Sequence, residues 1–197
     1  FRRPIAFLGQ GERFDIMTKI MTHAAVGLAL GHAFAPARRG GRYWIACAVL
    51  PIIPDADVLG FPLGIAYGDL LGHRGLSHSL AFAVVLGLAV AWLLTWREKR
   101  GGKETRHLAV LFVLLAASHG PMDMLTNGGL GIALLSPFDA ARYFWDWRPI
   151  LVSPIGLQSF LSPWGWAVIV NEFRWFGPPI GLLVASMALY RSFAGKD

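Results

Sequence analysis

The chain has 197 residues, 55% of them apolar and 15% charged, against about 25% charged in an ordinary soluble domain, and its mean hydropathy is +0.50. This balance excludes disordered, collagen-like and coiled-coil classes and points to an integral membrane protein. The formal charge is +6, and Cys47 is the single cysteine, which excludes an intrachain disulfide and a thiolate cage, so any metal ligands are histidines and carboxylates.

Residues 1–16 read as an irregular leader, with Met17 or Met21 as the expected natural start, and 17–197 as one helical membrane domain. The first apolar segment runs from Met21 to Pro36 and is rich in small residues. A second, Tyr43 to Pro54, stops at the acidic turn Pro54-Asp55-Ala56-Asp57. Ser79 to Trp96 carries no charge and spans about 27 Å as a helix, close to the hydrocarbon thickness of a bilayer. His107 to Leu125 is apolar up to Ala117, and Pro121 then predicts a kink or a fresh helix. The stretch 128–176 is rich in Gly, Pro and Trp and reads as interfacial or re-entrant, and a last helix covers Pro178 to Tyr190. The fold class expected is all-α, a polytopic membrane helical bundle.

Basic residues cluster at Arg38, Arg39 and Arg42 and again at Arg97, Lys99, Arg100, Lys103 and Arg106. Neither cluster has interleaved aromatics, which argues against a nucleic-acid partner. Placed on the cytoplasmic side, the two clusters close two helical hairpins that open the same way. His23 and Asp55 then lie about 20 Å from the first loop, and His78, His119 and Asp123 roughly 18 to 27 Å along the second hairpin. The ionisable residues therefore converge at the far, non-cytoplasmic end of the bundle. Such residues are costly in apolar segments and mark sites by default.

His119 and Asp123, four apart, share one helix face and suit two ligands of one ion. Together with His23, Asp55, Asp57, His73 and His78 they form a donor set of imidazoles and carboxylates, favouring Zn²⁺, with Mn²⁺ or Mg²⁺ as alternatives. The set exceeds one tetrahedral site, so two ions are expected, and two-metal sites carry out phosphoester hydrolysis. Asp57, Arg74 and His78 are the expected catalytic residues, with the Arg74 fork neutralising a phosphate. Ser77, Ser79 and Thr126 are expected to orient ligands or substrate. His32 and His107 read as structural, and the Trp residues from 145 to 175 as a membrane-interface belt.

The strings THAAVG at 22–27, PDADVL at 54–59, GHRGLSHSL at 72–80 and SHGPMDMLT at 118–126 resemble the LexA-regulated, membrane-bound metal-dependent hydrolase family of bacterial inner membranes, over roughly residues 20 to 130. The resemblance implies an all-α inner-membrane hydrolase with His23, Asp55, Asp57, His73, His78, His119 and Asp123 at its metal site. More distantly the pattern is similar to the zinc-dependent phospholipase C and P1 nuclease superfamily. That superfamily's second His-x-x-x-Glu pair is missing, since Leu111 follows His107 by four. The expected substrate is a phospholipid or lipid-linked phosphate, and the expected partners are membrane lipids. Two alternatives stand beside it. A transporter or proton conductor would need ionisable groups deeper in the bundle, and Ala81–Leu94 and Leu108–Ala116 hold none. A membrane-tethered nuclease is opposed by the far-side placement of the site.

Overall fold

The computed structural model describes residues 17–34, 39–97, 101–153 and 161–194. The expected leader at 1–16 and the basic residues Arg38, Lys99 and Arg100 lie outside the described residues. Among the described residues six α-helices follow in order: α1 (Met17–Phe34), α2 (Gly41–Val49), α3 (Leu80–Arg97), α4 (Gly102–Ala117), α5 (His119–Asp123) and α6 (Pro163–Ala194). Two 3-10 stretches, Ile53–Leu63 and Leu76–His78, lie between α2 and α3. Among the described residues there is no strand, only the isolated bridges Thr126–Ile150 and Ile132–Tyr143.

Local chemistry sets these boundaries. Pro54 enters the first turn of the longer 3-10 stretch, where its missing N–H costs nothing, and Gly64 ends it at a φ of 82°. The Ser79 hydroxyl accepts the N–H of Phe82 at 3.1 Å, an N-cap for α3. α4 gives way to the single turn of α5 at Ser118, three residues before Pro121.

α3 and α4 are joined by a short connection and pack along their length. A Cβ on Gly87 would lie 2.4 Å from the backbone nitrogen of Val113, so only glycine lets the two backbones approach this closely. Tyr43, Cys47 and Leu50 from the α2 region, Ala83, Ala91 and Leu94 from α3, and Leu108, Leu111, Phe112, Leu115 and Ala116 from α4 form the shared core. α1 lies against α2 and α6, and the Tyr43 hydroxyl ties α2 to α1 by donating to the Gly31 carbonyl at 2.7 Å.

α3 is long and apolar enough to cross a membrane, and α2 with the following 3-10 stretch, bent by 57°, would be a second crossing only if the pair is one span. On α3, Val84, Val85, Leu88, Trp92, Leu93 and Trp96 all face outward, the pattern of a helix solvated by lipid rather than water. The expected bundle is therefore present as helix packing, and among the described residues length and composition qualify one crossing, or two if the bent pair is one span. α4 has 16 residues, and α6 carries Glu172 and Arg174 in its interior.

The C-terminal third differs from expectation. Residues 163–176, expected as part of an interfacial or re-entrant segment, belong to the same 32-residue helix as the expected last one, which passes through Pro178 and Pro179. Proline fits helical φ, and its cost is the loss of backbone bonds to the carbonyls of Arg174 and Trp175. The part of the segment that is irregular is pinned by Arg142. Its guanidinium donates to the carbonyls of Tyr67, Gly68, Asp69, His73, Arg74 and Gly131 at 3.2–3.4 Å.

A buried histidine and carboxylate quartet

α5 presents His119 and Asp123 on one face, one turn apart, and the 3-10 stretches bring Asp55 and His78 to meet them. His78 Nε2 and His119 Nε2 each lie 3.4 Å from Asp55 Oδ1 and 4.0 Å from Asp123 Oδ2. All four residues are buried, none more than 3% exposed. His78 Nε2, His119 Nε2, Asp55 Oδ2 and Asp123 Oδ2 are enclosed without a hydrogen-bond partner. Unmet polar atoms are expensive inside a protein, and three of them, His78 Nε2, His119 Nε2 and Asp123 Oδ2, converge beside Asp55 Oδ1 and call for a shared partner. Donors at zinc bond lengths of about 2.0–2.1 Å sit about 3.3 Å apart around a tetrahedron, close to the spacing found here.

The outer nitrogens of both rings are fixed. His119 Nδ1 lies 2.7 Å from the Pro51 carbonyl, which can only accept, so this nitrogen carries the proton and Nε2 is left as the lone-pair donor. His78 Nδ1 lies 3.1 Å from Asp57 Oδ2 and 3.0 Å from the Ser77 hydroxyl. This is the carboxylate–histidine arrangement that orients a metal ligand. Burial pulls the His78 imidazole down, but the hydrogen bonds and charges of Asp55 and Asp57 outweigh it and raise its pKa to about 9. Burial pushes the Asp123 carboxyl up, and Lys19, His23, His119 and Arg74 together hold it well below the usual range.

Asp55 and Asp57 serve different neighbours. With three residues per turn, positions two apart on a 3-10 helix diverge, so Asp55 enters the quartet while Asp57 turns to the loop. Asp57 Oδ1 pairs with His73 Nδ1 at 2.7 Å, and Oδ2 accepts from the Ser77 hydroxyl at 2.5 Å and the Arg74 N–H at 3.1 Å. Asp57, His73 and His78 are close enough to hold an ion, but the oxygens of Asp57 are already engaged by these hydrogen bonds. Of the two groups, the quartet is the one whose donors stand free.

His23 stacks on His119 with ring centroids 4.1 Å apart, and its Nε2 lies 3.5 Å from Asp123 Oδ1, at the rim of the quartet rather than within it. Arg74, expected to meet a phosphate, is 1% exposed and directs its fork to Thr126 Oγ1 at 2.9 Å and the Gly128 carbonyl at 2.8 Å, with Nε 3.4 Å from Asp123 Oδ2. These contacts make it a positioning group for Asp123. It holds a φ of 64°, a left-handed conformation that non-glycine residues adopt at a cost of about 1–2 kcal/mol. Gly129, at φ 84°, leaves room for it, since a Cβ there would lie 2.5 Å from Arg74 Nη1. The Ser77 hydroxyl donates to Asp57 and that of Thr126 accepts from Arg74, whereas Ser79 caps α3.

Two site residues were not anticipated. Lys19 Nζ donates to Asp123 Oδ1 at 3.0 Å; its four-residue spacing from His23 on α1 is the signal that could have found it. Glu172 of α6 is buried, accepts a hydrogen bond from the Thr22 hydroxyl through Oε2 and leaves Oε1 unpartnered. Its signal was a lone acid in an apolar helix. Lys19, Thr22, His23, Asp123 and Glu172 line a cavity of about 10 Å³, room for one water. Thr22, Glu172 and Phe176 also close one end of an apolar groove of about 350 Å³ between α1 and α6.

Comparison with known proteins decides the family. Residues 17–195 match the YdjM inner membrane protein family. The chain belongs to that family. It is also 38% identical over 175 residues to the inner membrane protein YbcI of Escherichia coli (strain K12), covering 89% of this chain and 99% of that protein. No solved structure matches. All the quartet residues of this YdjM-family chain lie inside the matched region, as do Lys19 and Glu172.

Proposed function

We propose that this YdjM-family protein is a multi-pass, membrane-embedded, metal-dependent hydrolase acting on the phosphoester of a lipid or lipid-linked phosphate. The observation that carries the reading is the quartet: two imidazole nitrogens, each 3.4 Å from Asp55 Oδ1 and 4.0 Å from Asp123 Oδ2, all four residues buried and both nitrogens and Asp123 Oδ2 without a hydrogen-bond partner. This donor set favours one zinc ion, with manganese or magnesium as alternatives.

A divalent ion in this place supplies Lewis-acid activation of water and of a phosphoryl oxygen. The chain's own residues do the rest. Asp57 and the Pro51 carbonyl hold the two rings so that each presents Nε2 inward. Lys19 and Arg74 keep Asp123 ionised and oriented. The buried core residues Leu50, which precedes Pro51, and Leu115 and Ala116, in the turn before His119, would limit water from the bundle side. The groove between α1 and α6 reaches the site edge at Thr22 and Glu172, which supports a substrate with an apolar chain. The basic residues at the opposite end support placing the site on the non-cytoplasmic side of the bacterial inner membrane.

The test is hydrolysis of bis(4-nitrophenyl) phosphate and of a short-chain phosphatidylglycerol by zinc-loaded protein in detergent. Turnover that needs zinc and disappears in His119→Ala and Asp123→Asn supports the proposal. Zinc-loaded protein without turnover, or equal turnover in the variants, refutes it.

A further inference from the structure

A second groove lies at the end of the bundle remote from the quartet, and it does not depend on the metal reading. It has a volume of about 500 Å³ and is lined by Phe34 of α1 and by Lys103, Arg106, His107, Val110, Leu111 and Leu114 of α4. The α4 residues recur at three- and four-residue spacing, so they form one stripe along the helix. Its chemistry changes along the way. The first turns carry Lys103, Arg106 and His107, and the following turns are wholly apolar, with Val110 and Leu114 more than half exposed.

Two features say what fills it. Lys103 and Arg106 sit in the first turns of α4, where the helix dipole is already positive, and among the described residues no carboxylate lines the groove. A bound anion would relieve both. His107, whose ring lies 3.1 Å from the Phe34 carbonyl, fixes the groove's basic end against α1. The distance from Lys103 to Leu114 along the helix is about 16 Å, half of the roughly 30 Å hydrocarbon core. The stripe thus matches one lipid in one leaflet, head group at the cations and acyl chain along Val110, Leu111 and Leu114.

The geometry points to a structural binding site for an anionic phospholipid between α1 and α4, with Lys103 and Arg106 as its head-group contacts. Basic pockets between membrane helices hold anionic lipids by this combination of charge and apolar wall.

The test is native mass spectrometry of the full chain titrated with 1-palmitoyl-2-oleoyl phosphatidylglycerol, the matching phosphatidylcholine, or inorganic phosphate. Phosphatidylglycerol is expected to bind at one preferred stoichiometry, and Lys103→Gln with Arg106→Gln to weaken it about 30-fold, taking about 1 kcal/mol per cation, with phosphatidylcholine unaffected. Both side chains are exposed, so the variant keeps its core, and unchanged circular dichroism checks this. Equal binding of both lipids, unchanged phosphatidylglycerol binding in the variant, or equal competition by inorganic phosphate overturns the site.

Discussion

The ammonium of Lys19 lies 3.0 Å from Oδ1 of Asp123, joining the first turn of α1 to the end of α5 across the site. Both groups are buried, and the Lys19 charge is one of those that hold the Asp123 carboxyl well below its usual range. Lys19→Met is expected to lower the melting temperature in detergent strongly, because breaking a buried pair from one side costs about 3–5 kcal/mol. Added zinc is expected to recover part of the loss by supplying positive charge beside Asp123. A melting temperature within one degree or so of wild type, on the scale of about 2–4 °C per kcal/mol for a chain of this size, would remove Lys19 from the site's charge balance.

The protonation of His78 links metal binding to pH. Its folded pKa of about 9 exceeds the unfolded value near 6.5, so in metal-free protein its pairing with Asp55 and Asp57 stabilises the fold fully below about pH 6.5. That contribution is lost as pH rises through 9. Asp123 behaves oppositely, and its contribution is lost only in acid, below the usual carboxylate range. Metal-free protein should therefore melt at lower temperature at pH 9 than at pH 6. Zinc, which displaces the His78 proton, should stabilise more at pH 9 than at pH 6. Differential scanning fluorimetry with chelator or with zinc across this range tests both signs.

Asp57 acts on the quartet through His78 Nδ1. Asp57→Asn is expected to weaken zinc affinity about 10- to 100-fold while leaving binding measurable, the usual effect of losing a group that orients a ligand. Isothermal titration against zinc distinguishes this from Asp123→Asn, which removes a ligand outright. Equal losses in the two variants would place Asp57 among the ligands.

Gly87 sets the distance between α3 and α4. Gly87→Leu places its side chain against the backbone of Val113 and is expected to destabilise by about 1–3 kcal/mol or more through overpacking, read as a fall in melting temperature. Gly181→Leu, where an added Cβ meets nothing within 4 Å, serves as the matched control with little change.

The sequence carried α3 because 18 consecutive positions lack a charge, and the quartet because ionisable residues stand out in apolar surroundings. Distance along the chain from the basic loops was enough to bring Asp55, His78, His119 and Asp123 to one level. Other features were hidden for physical reasons. Lys19 lies at the edge of a basic leader, where its charge reads as solvated. The Gly177-Pro178-Pro179 run reads as a break with the last helix starting at Pro178, although proline's fixed φ is helical and one helix continues through it. The separate duties of Asp55 and Asp57 follow from a 3-10 turn, which no periodicity in an 11-residue stretch distinguishes from an extended one. The work of Arg142 depends on carbonyls far away in sequence, which carry no residue signature.

The central claim is that the quartet holds a divalent ion, and elemental analysis of detergent-purified protein tests it most directly. After dialysis against zinc and then metal-free buffer, wild-type protein should retain about one equivalent, as one tetrahedral set allows, and His119→Ala with Asp123→Asn should retain none while remaining helical. Folded wild-type protein that emerges metal-free, and takes up neither zinc nor manganese, would contradict the account and leave the quartet as a network of hydrogen-bonded charges.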